Sequence, residues 1–308
     1  MPTPPQPPLP LPTRDGVGAS CVALPPGPWP TVAAFLTERF AAIAPAVWQR
    51  RIANGEVVDE HGVTVTASRP YQPHLRVYYY RALDVEPRIP FDEFVVFQDE
   101  HIVVADKPHF LPVTPSGRYL QETLLVRLKR RLGINTLAPM HRLDRETAGL
   151  VLFAVQPATR GAYHGVFMQH RVHKHYEAVA PWRSDVALPL TRHSRIEEGE
   201  RFFYQREVPG VPNATTQIEL LARQGDLGHY RLTPVTGKQH QLRVHMNALG
   251  LPLRGDRFYP EVQDIPVDDF TAPLQLLARS LAFTDPITGQ ARYFESTRQL
   301  AAWPPQHP

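Results

Sequence analysis

Six consecutive apolar residues, Leu150-Val151-Leu152-Phe153-Ala154-Val155, follow three residues after a highly polar stretch, His141-Arg142-Leu143-Asp144-Arg145-Glu146. The apolar run has the length of a buried strand and is short for a core helix. It fixes one end of the polar loop to a rigid element. Within that loop a carboxylate, Asp144, lies among His141, Arg142 and Arg145. Loops held by a scaffold are where chemistry usually sits. The plainer reading is a turn whose Asp bonds to its own backbone.

The rest of the chain bears on that choice. A length of 308 residues allows one large domain or two smaller ones, and an apolar fraction of 43% supports a real core. The net charge is only +3, but it is unevenly spread. Between Arg118 and Lys174 there are ten Lys/Arg against three Asp/Glu, whereas Asp92, Glu93, Asp99, Glu100 and Asp106 make an acidic patch upstream. A basic segment suits a polyanion such as nucleic acid, and equally a solvated face. Cys21 is the single cysteine, so a disulfide framework or thiolate metal site within one chain is excluded. That usage fits a reducing cytoplasm. No apolar run reaches the roughly 18 residues of a membrane span, and the N-terminus lacks the pattern of a signal peptide.

Residues 1–20 are Pro-rich and read as a disordered tail; the end from Trp303 reads as loose. Residues 30–85 form a candidate small domain: helices over Thr31–Phe40 and Ala46–Asn54, then short strands at Val63–Val65 and Leu75–Arg81. A larger domain follows from about residue 91. Ile102–Ala105 reads as a strand, Tyr119–Leu132 as a helix with Leu124, Leu125, Leu128 and Leu132 at core spacing. Val172 to Ala180 alternates, so Val172, Lys174 and Tyr176 are expected on one face. Thr236 and Gln239 match a capping box ahead of a long helix. Leu242, Met246 and Leu249 form its apolar stripe; His240, Arg243 and Asn247 lie on another face. Strands with few helices argue for an α+β domain.

The cluster His170-Arg171-Val172-His173-Lys174-His175 invites a metal reading, but no nearby Cys or carboxylate pair completes a site. Surface or phosphate-contacting histidines suit it better. There is no phosphate-binding Gly-rich loop and no Gly-x-Ser-x-Gly elbow.

His141-Arg142-Leu143-Asp144 followed by Thr147-Ala148-Gly149-Leu150 resembles the signature of RluA-type pseudouridine synthases. Three further blocks resemble that family in its order. They are Ile102–Pro108, Lys174-His175-Tyr176-Glu177-Ala178, and Thr236–His245 with Gly250-x-Pro252 and Gly255-Asp256-x-x-Tyr259, where Gly255 and Asp256 read as structural turn residues. The resemblance spans roughly residues 95–295. Ala148 and Lys238 depart from the usual Ser and Arg, and His109-Phe110 is bulkier than usual after Lys-Pro.

The resemblance implies an α+β pseudouridine synthase fold over residues 91–298, with a mixed, largely antiparallel sheet flanked by helices. Residues 30–85 resemble a small alpha-L-like RNA-binding domain. The implied reaction breaks the bond from ribose carbon 1′ to uracil nitrogen 1, turns the base and reattaches it through carbon 5, without metal or cofactor. Asp144 is then the essential carboxylate, acting either as nucleophile at the ribose or as the base that starts glycal formation. Arg243 is its salt-bridge partner, and Tyr176 stacks on the base. His141, Arg142, Lys174 and His240 are expected on the RNA. The expected partner is RNA rather than DNA, ribosomal RNA of the 23S type before transfer RNA, bound by a cytoplasmic monomer. Two other readings compete: a non-catalytic RNA-binding or ribosome-assembly protein on the same fold, and a hydrolase using Asp144 with a histidine.

Overall fold

The computed structural model describes residues 11–81, 83, 86–201 and 203–303. It divides into two units, residues 1–86 and 87–308. The first holds β1 (Ser20–Ala23), α1 (Val32–Arg39), α2 (Pro45–Ala53), β2 (Val57–Asp59) and β3 (Arg76–Tyr79). Its three strands form an antiparallel sheet ordered β1-β3-β2. Thr31 caps α1, its hydroxyl accepting from the Ala34 amide at 3.1 Å, and Pro45 opens α2 where its missing N–H costs nothing. Val32, Phe35 and Leu36 meet Trp48, Ile52, Val57 and Val77 in a common core.

Two expectations fail here. Val63–Val65 forms no strand; Thr64 makes a single bridge to Val58. The tail expected over residues 1–20 has its first ten residues outside the described part. Beyond them, Arg14 and Val17 pair and Val17 is buried. The Tyr80 hydroxyl donates to the Pro12 carbonyl, and Arg14 sits 4.0 Å over the Tyr80 ring, so polar and cation–π contacts fix a segment that composition reads as loose.

The second unit holds β4 (Phe94–Gln98), β5 (Ile102–Lys107), α3 (Leu124–Leu132), β6 (Ala138–Pro139), β7 (Ala148–Ala154), α4 (Arg160–Met168), β8 (His173–Pro181) and β9 (Leu190–Glu198). It continues with β10 (Gln205–Val208), β11 (Ala214–Gln224), β12 (Leu227–Pro234), α5 (Gln241–Ala248), β13 (Leu276–Thr284) and β14 (Ala291–Glu295). Eleven strands form one sheet, ordered β10-β9-β11-β12-β8-β13-β7-β5-β4, with β14 on β13 and β6 on β7. Every pairing is antiparallel except β7 with β13, so the sheet is mixed and largely antiparallel.

Leu150–Ala154 of the apolar run lie in β7, and all seven residues of that strand are buried. Val151 and Phe153 enter one core with Leu124 and Leu128 of α3 and Leu242 and Met246 of α5. Leu150, Leu152 and Ala154 enter a second core with Tyr163 and Val166 of α4. Helices on both faces explain an unbroken apolar strand. Each buried Leu or Phe stabilises the fold by about 1.5–3 kcal/mol relative to exposure.

Three details correct the sequence reading. The helix expected from Tyr119 begins at Leu124, capped by Thr123. Val172 packs with Leu150 and Leu152, whereas Tyr176 joins the opposite core, because Val172 precedes β8 and escapes its alternation. The end is not loose at Trp303, which stacks on His229 at 5.3 Å; residues 304–308 lie outside the described part.

Candidate active site

The Asp144 loop joins β6 to β7 and is fixed at several points along its length. The Met140 amide donates to Leu152 O at 2.8 Å, and the Leu152 amide donates to His141 Nε2 at 3.1 Å. Beneath the loop lies Lys107 Nζ, which donates to Pro108 O, Leu111 O and Arg145 O at 3.0, 2.7 and 3.1 Å. Those three bonds use all three ammonium hydrogens, although burial pushes this group down to about 7. His109 Nδ1 donates to Glu146 O at 2.7 Å, and Arg145 pairs with Glu146. The loop then enters β7 through Gly149, whose φ is +112°. A Cβ there would lie 2.3 Å from Ala278 O, so glycine is what allows β13 to run against β7.

Facing the loop is α5. It does not start at a Thr236 capping box. Its N-cap is His240, in the left-handed region at φ +53°. Thr236 and Lys238 instead donate to Gln241 Oε1, at 2.7 and 3.1 Å. Gln241 is held in turn by Thr215 O and Thr216 Oγ1. The expected polar face of α5 is interior: Arg243 is only 1% exposed. Its Nη1 lies 3.4 Å from Asp144 Oδ2, while Nε and Nη2 grip Asp256 at 2.8 and 2.6 Å. Burial opposes the Arg243 charge. The Asp256 hydrogen bonds and the charges of Asp256 and Asp144 outweigh that and raise its pKa above the usual value. Asp256 Oδ1 also accepts from the Phe258 and Tyr259 amides. The tight turn that presents Asp256 needs Gly255, at φ +74°, where a Cβ would meet Pro273 O at 2.4 Å.

Asp144 itself keeps 27% of its side chain exposed, so it is reachable. His240 Nε2 stands 3.8 Å from the same Oδ2. Tyr176, on β8 between Leu232 and Ala278, is buried, and burial followed by the Asp144 charge raises its phenol. A neutral phenol and a half-buried carboxylate thus share one site with a permanently charged guanidinium.

The structure brings Asp144, Tyr176, Arg243 and His240 together. Arg142 is exposed at the loop surface. His141 is placed differently from the expectation: it stacks on Phe167 at 4.8 Å and spends Nε2 on the strand amide. Burial pushes it down to about 3, so it carries no charge for a phosphate. Lys174 lies near enough to His141 to disfavour its protonation. Sequence reasoning treated Asp256 as a turn residue and assigned no role to Lys107 or Tyr259. Asp256 lies thirteen residues from Arg243 with no periodicity linking them, so only the fold reveals the pair.

Residues 101–248 match the family model described as RNA pseudouridylate synthase. The dual-specificity RNA pseudouridine synthase RluA of Haemophilus influenzae is 33% identical over 210 residues, covering 66% of this chain and 91% of that protein. RluA of Pasteurella multocida is 35% identical, covering 63% and 88%. The uncharacterized RNA pseudouridine synthase slr1592 of Synechocystis sp. is 31% identical over 230 residues, covering 73% and 78%. In structure, human RNA Pseudouridylate Synthase Domain Containing 1 superposes with a TM-score of 0.57 at 24% identity, covering 70% of this chain and 86% of that one. The fold is that of the pseudouridine synthases. The chain belongs to the RluA-type pseudouridine synthase family, and it is an isomerase acting on uridine in RNA. Among the described residues, no helix is long and apolar enough to cross a membrane.

Proposed function

We propose that Asp144 is the carboxylate that attacks the ribose or initiates glycal formation, and that the chain modifies structured RNA in the cytoplasm as a monomer, ribosomal RNA first. The observation that carries this reading is the pairing of Asp144 Oδ2 with Arg243 Nη1 at 3.4 Å beside the buried Tyr176. Arg243 places a permanent positive charge beside the carboxylate. Tyr176 offers an apolar ring for the base. A uridine reaches Asp144 only by leaving its stack, at a cost of a few kcal/mol, which backbone contacts offset. The exposed guanidinium of Arg142 suits such a contact; His141 acts as a fastener of the loop.

The preference for ribosomal RNA rests on residues 30–85, two helices followed by short strands with Arg50 exposed on α2, which we read as an RNA-binding module. A second reading, activity on transfer RNA as well, is favoured by the names of the Haemophilus and Pasteurella relatives as dual-specificity enzymes.

The test is pseudouridine mapping of total RNA from cells with and without the gene, complemented with wild type or Asp144→Asn. A site lost on deletion and restored only by wild type identifies substrate and carboxylate together. Restoration by Asp144→Asn contradicts the assigned role.

A further inference from the structure

His240 occupies a backbone conformation that non-glycine residues rarely adopt, φ +53°, and its side chain is 5% exposed. It is held there by two rings, stacking on Phe258 at 5.5 Å and meeting Tyr259 edge-on at 5.8 Å. Such strain at a site asks for a purpose. The hydrogen bonds around Tyr259 define one.

Tyr259 Oη lies 3.0 Å from both Gln205 N and Gln205 O, and 3.1 Å from His240 Nδ1. Gln205 belongs to β10, the terminal strand of the sheet, and faces Glu198 of β9. The Gly199 amide bonds to Tyr204 O one step earlier. Hydrogen-bonded and non-bonded pairs alternate along an antiparallel ladder, so both backbone groups of Gln205 point off the sheet edge. Tyr259 Oη meets both. A hydroxyl has one hydrogen to give. The buried Gln205 carbonyl takes it, and the Gln205 amide fills one lone pair. The remaining lone pair accepts from His240 Nδ1, which therefore carries the hydrogen.

Neutral His240 thus presents Nε2 as a bare acceptor, 3.8 Å from Asp144 Oδ2. Burial favours that neutral form. Nε2 makes no hydrogen bond to protein among the described residues. Two acceptors at this separation suit a single donor lying between them. Asp144 acts at ribose carbon 1′ or carbon 2′, and the O–H group next to both is the 2′-hydroxyl.

We propose that His240 Nε2 accepts a hydrogen bond from the 2′-hydroxyl of the target uridine, and that Tyr259, by fixing the ring tautomer, makes this the contact by which the enzyme selects ribose over deoxyribose. The inference rests on the reading of Asp144 given above. The 2′-hydroxyl is the group that separates RNA from DNA at a single nucleotide. His240→Asn suits the test, because asparagine tolerates a left-handed backbone while its short side chain does not reach the Nε2 position.

The experiment uses two synthetic RNA hairpins spanning the mapped uridine, one all-ribose and one with 2′-deoxyuridine at that position alone. Single-turnover rates are measured for wild type and His240→Asn, with thermal melting as the fold control. The expected result is a ribo-to-deoxy rate ratio about tenfold smaller in His240→Asn than in wild type, the scale of one net hydrogen bond. A variant that slows both hairpins equally assigns His240 to the support of Asp144 and overturns the proposal. So does a wild type that does not distinguish the hairpins. No turnover of the all-ribose hairpin by wild type instead removes the reading beneath it. Tyr259→Phe, if it melts near wild type, is expected to lower the same ratio while His240 remains.

Discussion

At the residue scale, the site is an ion network of unequal members. Arg243 makes two close bonds to Asp256 and one longer bond to Asp144, so Asp256 positions the guanidinium and Asp144 stays available. Asp256→Asn keeps the shape and removes the charge. It is expected to lower kcat about 100-fold with little change in KM, since small displacements of a reacting group cost that much. Removing one partner of a buried pair also costs about 3–5 kcal/mol of stability. Single-turnover kinetics and urea unfolding measure the two effects. An unchanged kcat would show that Arg243 holds its place unaided. Asp256 was legible as a turn residue from Gly255-Asp256; its role as ion partner was not, because its partner is set by how α5 meets the turn.

At the element scale, β7 and its loop behave as one unit. Gly149 lets β13 pass within contact of β7, and that crossing carries the Asp144 loop. Gly149→Ala places a methyl 2.3 Å from Ala278 O in a backbone conformation alanine avoids. A loss of roughly 2 kcal/mol or more is expected from strain and displaced backbone together. Urea midpoints of the variant measure it, and a wild-type midpoint would show that the strands can part at no cost. The strand was visible in the sequence as an apolar run. The start of α5 was not, because Thr236 and Lys238 bond to Gln241 and the capping box suggested by Thr236 and Gln239 does not form.

At the scale of the whole molecule, three buried imidazoles tie stability to pH. Burial pushes His141 down to about 3, and His109 and His245 down to about 4. In the unfolded chain each protonates near 6.5. Between that value and the folded one, the unfolded state binds more protons, so stability is fully present above about pH 6.5 and declines as pH falls. The slope is at most about 1.4 kcal/mol per pH unit for each histidine. Urea midpoints are therefore expected to drop between pH 7 and pH 5, above the range where carboxylates titrate. Equal midpoints at the two values would mean that these rings protonate without unfolding the chain.

What the sequence determined by itself is local or carried by signature. The buried strand β7, the helix α1 and the family follow from residues adjacent in the chain. Tertiary structure decided the charge environment and the division of labour among the histidines. His141 and His240 both fall in blocks that resemble the family's, yet one accepts a strand amide and the other faces Asp144. Which neighbour a side chain meets across a sheet or helix interface depends on packing of distant segments, and residue spacing carries no record of that.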